Sequence, residues 1–100
     1  MGNMSNQKTV KKEIVIKGKQ GLHARPAALF VQIANKFESD IFVTKDGEEV
    51  NGKSIMGILM LAAEKGTKVS LKAVGSDAEE AVKELEKILI EESRDLFDLK

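Results

Sequence analysis

The only histidine of this 100-residue chain, His23, is the side chain best suited to chemistry. Arg25 lies two positions later, and Pro26 is typical of the first turn of a helix. The first N–H groups of a helix lack internal acceptors and carry the positive end of its dipole, so they attract anions. These positive surroundings favour a neutral imidazole with a free ring nitrogen. The pattern therefore permits phosphoryl transfer to His23, with the helix N-terminus and Arg25 receiving the phosphate oxygens.

Position alone is also compatible with a simpler interpretation. Polar residues are common at helix starts, so His23 could be a solvated loop histidine and Arg25 an ordinary surface charge. The residues of this segment do not decide between the two by themselves.

The composition excludes several classes of chemistry. The chain has no cysteine, which excludes disulfides and thiolate sites, and its single histidine excludes paired histidine ligands, so we expect no metal and no cofactor. The carboxylates show no paired spacing and no glycine-rich phosphate loop occurs, which argues against a stand-alone enzyme. Sixteen basic residues balance sixteen acidic ones, so nucleic acid is not an expected partner.

The chain also lacks the apolar segments that direct or anchor proteins to membranes. Residues 1–12 hold no run long enough for a signal peptide, and no stretch of about 18 apolar residues occurs. We therefore expect a cytoplasmic protein that does not insert into membranes.

Apolar spacing predicts the elements of one domain. Strands are predicted at 10–16, 41–44, 48–51 and 69–73, with an Asp46-Gly47 hairpin turn. The first helix is predicted with Pro26 in its first turn and its end near Phe37. The second covers residues 54–63 with Gly66 as C-cap, and the third follows a capping box at Ser76/Glu79 or Asp77/Glu80. This order favours an α+β layer sandwich, with tails at 1–9 and 93–100.

The second predicted helix is apolar almost all round. Ser54 is expected at its N-cap or in its first turn, and Ile58, Leu61 and Ala62 are expected in the core. One sheet cannot bury every side of such a helix, so some residues of the cluster Ile55, Met56, Leu59 and Met60 should be exposed.

Two motifs resemble the family of the histidine-containing phosphocarrier protein HPr of the bacterial sugar phosphotransferase system. One, around the histidine, reads Gly21-Leu22-His23-Ala24-Arg25-Pro26-Ala27. The other, around a serine that is regulatory in the family, reads Lys53-Ser54-Ile55-Met56-Gly57. The resemblance covers residues 10–92, and it implies an open-faced two-layer sandwich with a four-stranded antiparallel sheet and three helices on one face.

The resemblance implies a role for each motif. His23 would accept a phosphoryl group on Nδ1 from phosphorylated enzyme I and pass it to a IIA domain, while Arg25 and the backbone of Ala24 and Arg25 stabilise the phosphate. Ser54 would be the target of an HPr kinase/phosphorylase, with a transcriptional regulator as a further partner. Ile55, Met56 and Leu59 would form the docking patch of a monomeric carrier.

Three alternatives to the sugar carrier remain. The Leu61-Ala62-Ala63 ending of the second helix is similar to that of nitrogen-system carriers, called NPr, and to that of some sugar carriers in other bacterial groups. A regulatory binding module acting through Ser54 is disfavoured because such relatives have lost the histidine that this chain keeps as His23. An RNA-binding domain of similar element order is disfavoured because the chain has no Tyr or Trp and only four Phe.

Overall fold

The computed structural model describes residues 8–17 and 24–90 of the chain, with residues 24 and 25 as backbone only. The predicted alternation of strands and helices is confirmed over this part. The strands are β1 (Lys8–Val15), β2 (Asp40–Lys45), β3 (Glu48–Asn51) and β4 (Lys68–Gly75), and the helices are α1 (Ala24–Ala34), α2 (Ile55–Leu61) and α3 (Ala78–Ile90).

The four described strands form one antiparallel sheet in the order β1-β4-β2-β3. Alternate residues of β4 are buried, namely Val69, Leu71 and Ala73. Because successive strand residues point to opposite faces, this pattern marks one face against the helices and one face toward solvent. The predicted two-layer sandwich is therefore confirmed.

The core lies between the inner face of the sheet and the helices. Phe30 of α1 is fully buried, as are Leu85 of α3 and Ile58 of α2. All three belong to one continuous apolar cluster with the inward residues of β4. Each helix thus turns an apolar stripe toward the sheet, as its spacing predicts.

The hairpin between β2 and β3 turns where the sequence predicts. Asp46 and Gly47 both have positive φ, 52° and 82°, as a type I′ turn requires. Asp tolerates this conformation better than most residues, and glycine adopts it without a steric penalty.

Strand β1 begins two residues earlier than its apolar pattern predicts. Lys8 and Thr9 pair with Gly75 and Val74, so backbone hydrogen bonding extends the strand beyond the alternating side chains. The predicted N-terminal tail thus loses residues 8 and 9 to the sheet, and residues 1–7 lie outside the described part.

Helix α1 ends at Ala34, not near Phe37 as its spacing predicts. The N–H groups of Lys36 and Phe37 bond to the carbonyls of Ile33 and Ala34, three residues back. The chain therefore tightens into a turn after Ala34, and the half-buried Phe37 ring packs on the core from that turn.

Helix α2 also ends early, so the predicted C-cap at Gly66 is wrong. Ala62 is the cap, with φ 52° and ψ 42°, and its N–H bonds to the Leu59 carbonyl. The Lys45 ammonium donates to the carbonyls of Leu61 and Ala62 at 3.1 and 3.3 Å. A side chain from β2 thus supplies the hydrogen bonds that the carbonyls at the helix end lack. Ala62 is consequently exposed, and its predicted place in the core is wrong as well.

The capping box predicted for α3 is replaced by a contact with another part of the chain. The Asp77 carboxylate accepts hydrogen bonds from the Glu38 N–H at 2.9 Å, the Ser39 N–H at 3.0 Å and the Ser39 hydroxyl. These bonds, first the one from the Ser39 hydroxyl and then the one from Glu38, lower the pKa of Asp77 below its usual value. Asp77 therefore holds the connection between α1 and β2 against the start of α3.

We expect Asp77→Asn to weaken the fold at neutral pH by about 1–2 kcal/mol, because an amide replaces the charged acceptor. The folded pKa of Asp77 lies below the unfolded value of about 3.9, so its contribution is complete above that value and is lost as the pH falls through the folded pKa. Urea unfolding at pH 7 and pH 3 measures both effects. The stability difference between wild type and variant should shrink at pH 3. An unchanged difference would contradict the stabilising role of the ionised Asp77 carboxylate.

Asp40→Asn is the matched control, since it makes the same chemical change at an exposed residue, the first of β2. It should leave the stability at pH 7 within about 0.5 kcal/mol of wild type.

Candidate functional site

Helix α1 begins at Ala24, the residue that follows His23. The prediction that Pro26 lies in the first helical turn is thus confirmed, since Pro26 is the third residue of α1; it is also buried. Its missing N–H costs no internal bond there, because the first N–H groups of a helix have no partner within it. His23 itself and the side chain of Arg25 lie outside the described residues, so their predicted roles are taken up below as a proposal.

Ser54 is the N-cap of α2, as predicted. Its backbone is extended, with φ −109° and ψ 119°, and its Oγ accepts from the Gly57 N–H at 3.1 Å. Its carbonyl accepts the next bond, from Ile58 N–H at 3.0 Å. The hydroxyl predicted for regulation therefore stabilises the start of α2 in the unmodified protein.

We expect Ser54→Ala to cost about 1 kcal/mol of stability, because the Gly57 N–H loses its acceptor. Ser54→Asp, whose carboxylate can also cap a helix, should recover most of this loss. Thermal unfolding of the three proteins tests the role, and an unchanged melting temperature in Ser54→Ala would contradict it.

One face of α2 presents large apolar side chains to solvent. We call this surface the α2 patch; its members are 38%, 63%, 40% and 70% exposed, and they are Ile55, Met56, Leu59 and Met60. Ile58 and Leu61 of the same helix are buried. The prediction that some residues of the cluster are exposed is confirmed. Met60, absent from the predicted docking residues, is the most exposed, and its i+4 spacing from Met56 was the available signal.

Polar contacts join the end of α1 to the start of α2. The Lys53 ammonium donates to the Phe37 carbonyl at 2.7 Å. The Asn35 side-chain amide donates to the carbonyls of Val31 and Lys53 at 2.8 and 3.3 Å. Sequence reasoning missed these contacts, because nothing in the spacing of Asn35, Phe37 and Lys53 shows that they meet. They fix the start of α2, including Ser54, relative to α1.

Two further features are absent from the described residues, namely a metal-binding cluster and a membrane-spanning helix. Within residues 8–17 and 24–90 there is no group of three or more acidic or histidine side chains able to hold a metal ion. No helix in that part of the chain is both long and apolar enough to cross a bilayer.

Comparison with known proteins places this fold and these motifs in one family. Residues 10–91 match the PTS-HPr family model, described as the PTS HPr component phosphorylation site. Since this match spans most of the chain, the protein belongs to the HPr family of phosphocarriers of the phosphotransferase system. The family predicted from the histidine and serine motifs is thereby confirmed.

Individual relatives agree with this assignment. The HPr-like protein Crh of Bacillus subtilis (strain 168) is 52% identical over 83 residues, covering 83% of this chain and 98% of the relative. The phosphocarrier protein HPr of Neisseria meningitidis serogroup A is 50% identical over 76 residues, covering 76% and 85%. The crystal structure of HPr from Bacillus anthracis str. Ames, 52% identical, superposes with a TM-score of 0.79 over 81% of this chain and 96% of that one.

Proposed function

We propose that this protein carries a phosphoryl group on His23 from enzyme I to IIA domains, serving sugar uptake and its regulation. The observation that carries the proposal is the start of α1 at the residue after His23, within the family match. A histidine there lies next to the free N–H groups of an 11-residue helix, whose dipole favours a bound anion.

The transfer is balanced without a cofactor. Nδ1 of His23 attacks the phosphorus of the phosphohistidine of enzyme I, and the new P–N bond forms as the bond to the donor nitrogen breaks. The phosphoryl group then leaves His23 for a histidine of the IIA domain by the same exchange. The Ala24 and Arg25 N–H groups and the Arg25 guanidinium receive the phosphate oxygens.

The experiment is the intact mass of the full chain after incubation with phosphoenolpyruvate and enzyme I. We expect the gain of one acid-labile phosphoryl group, which then moves to a IIA domain on mixing. No gain with enzyme I from several bacteria would overturn the carrier proposal. Offering sugar-system and nitrogen-system IIA domains separately distinguishes the sugar carrier from the NPr alternative.

The α2 patch supports docking of both partners, with Ile55, Met56 and Leu59 as the contact residues. Exposed apolar groups at the first turn and middle of a helix mark an interaction surface, and methionine adapts to more than one partner.

We expect Met56→Ala to weaken binding to enzyme I about tenfold, or about 1.4 kcal/mol, if this highly exposed side chain is one of the few contacts that carry most of the binding energy. Titration calorimetry with purified enzyme I measures the change in Kd. Val15→Ala is the control, because Val15 is a comparably exposed apolar residue, at 41%, on β1. Equal losses in both variants would contradict docking through the α2 patch.

A second function, regulation through Ser54, is supported by the position of its hydroxyl at the start of the α2 patch and by the 52% identity to Crh. An ATP-dependent HPr kinase/phosphorylase would transfer the γ-phosphoryl group to Ser54 Oγ, with ADP leaving and the hydroxyl proton released. The modified protein would bind a transcriptional regulator. Retention of His23 favours a carrier that is also regulated over a module that is only regulatory. Incubation with such a kinase and ATP tests this, since it should add an acid-stable phosphate that Ser54→Ala lacks.

We further propose a cytoplasmic monomer made of one domain between an N-terminal and a C-terminal tail. The predicted domain, 10–92, is extended at its start to Lys8 because Lys8 pairs with Gly75. Analytical ultracentrifugation tests the monomer, and a stable dimer at micromolar concentration would overturn it.

A further inference from the structure

We propose that Lys53 couples the phosphorylation of Ser54 to helix α1. A phosphate on Ser54 attracts the Lys53 ammonium away from the Phe37 carbonyl, and the turn that closes α1 loses its stabilising cation. This inference rests on the proposed modification of Ser54 and names its structural effect.

In the unmodified protein Lys53 stabilises the turn that follows α1. Its Nζ lies 2.7 Å from the Phe37 carbonyl oxygen, within the turn formed after Ala34. A cation at a helix C-terminus offsets the partial negative charge of the unpaired carbonyls. None of the ion pairs found among the described residues includes Lys53, so the carbonyl of Phe37 has no anionic competitor for this ammonium until Ser54 carries a charge.

The backbone around Lys53 is fixed, so its side chain can move alone. Its N–H donates to the Asn51 side-chain oxygen at 2.8 Å, and its carbonyl accepts from Asn35 at 3.3 Å. The next N–H, that of Ser54, donates to the Asn51 carbonyl at 3.1 Å. Only the four-carbon stem of Lys53 has to change rotamer to reach a group on the neighbouring residue.

The phosphate is the stronger acceptor. It carries about −1.5 to −2 charges at neutral pH and three acceptor oxygens, whereas the Phe37 carbonyl is neutral. Hydrogen bonds between two charged groups are about twice as strong as those between neutral ones. The ammonium should therefore transfer to the phosphate when Ser54 is modified.

The loss of the Lys53 contact affects only the part of the turn before Glu38. Glu38 and Ser39 stay bound to the Asp77 carboxylate, which holds the entry into β2 whatever the state of Ser54. The effect of the phosphate is thus directed to the turn that follows α1.

The test uses the full chain with phosphoserine incorporated at position 54 during synthesis, so it requires neither a kinase nor enzyme I. We would record the Phe37 carbonyl ¹³C shift and the exchange rates of the Lys36 and Phe37 amides by NMR. In the wild type, phosphorylation should move the carbonyl resonance upfield and speed exchange about two- to fivefold. Lys53→Met without phosphate should reproduce both changes, and adding the phosphate to that variant should change neither further.

Lys53→Arg keeps a cationic donor and should restore the response to phosphate. Lys68→Met, which removes a lysine that pairs with Glu13 at 3.8 Å on the sheet, should respond like the wild type. If Lys53→Met fails to fold, Lys53→Gln takes its place. A phosphate response of equal size without the Lys53 ammonium, or no response in the wild type, would overturn the proposal. Failure of the proposed modification itself would appear in the separate experiment with the kinase and ATP, as the absence of an acid-stable phosphate.

Discussion

Replacing His23 with alanine is expected to abolish acid-labile phosphorylation by enzyme I, a loss of at least about a thousandfold in the rate of phosphoryl uptake. The chain has no other histidine, and a methyl group offers no nucleophilic nitrogen to phosphorus. Quench-flow measurement with phosphorylated enzyme I gives the rate, and circular dichroism confirms that the variant folds.

Ser54→Ala is the matched control for this experiment. It removes the other predicted phosphorylation site and should keep the acid-labile phosphoryl group. An acid-labile product in His23→Ala would show that another side chain accepts the phosphoryl group. An acid-stable product that survives in His23→Ala and disappears in Ser54→Ala would instead be a separate serine modification.

Gly75→Ala is expected to destabilise the protein by at least about 3 kcal/mol. Gly75 has φ +154°, which side chains rarely adopt, and an added Cβ would lie 2.6 Å from the Ser39 Cα. The backbone of Ser39 cannot move aside easily, because its N–H and hydroxyl are bound to Asp77. Urea unfolding gives the change in free energy.

Gly47→Ala separates the two causes of the loss expected for Gly75→Ala, which are backbone strain and the steric contact with Ser39. Gly47 also has a positive φ, +82°, but an added Cβ would meet nothing within 4 Å. Its cost should therefore be the backbone strain alone, about 1 kcal/mol. Equal losses in the two variants would mean that the contact with Ser39 does not limit substitution at Gly75.

The sequence predicts elements well where one local pattern decides them. The alternation in β4, the helical spacing in α3 and the Asp46-Gly47 turn each correspond to an element of the structure. These signals are reliable because burial of one face repeats every two residues in a strand and every three to four in a helix.

Errors arise where a distant group replaces a local one. Ala62 ends α2 with help from the Lys45 ammonium, so the helix does not extend to the glycine that the sequence offers as a cap. Asp77 has the spacing of a capping box, yet its carboxylate binds Glu38 and Ser39. In both regions the partner depends on tertiary contacts that spacing does not contain.

The same distinction between local and tertiary causes applies to the candidate site. The N-cap role of Ser54 and the start of α1 near Pro26 follow from local helix chemistry. The contact of Lys53 with Phe37 depends on how the chain brings α1 and α2 together, and no sequence motif predicts it.

The pairing of β1 with β4 also decides when the chain can fold during synthesis. Lys8 pairs with Gly75 and Val15 with Lys68, so the first described strand needs the last one as its neighbour. β4 lies between β1 and β2 in the sheet. Until β4 has emerged from the ribosome, β1 therefore has no neighbouring strand to pair with. Since closing such a long loop is slow compared with local contacts, the nascent domain should collapse only after β4 has emerged. A ribosome stalled before Lys68 would therefore hold a protease-sensitive chain, whereas one stalled with α3 fully outside the exit tunnel would hold a resistant domain.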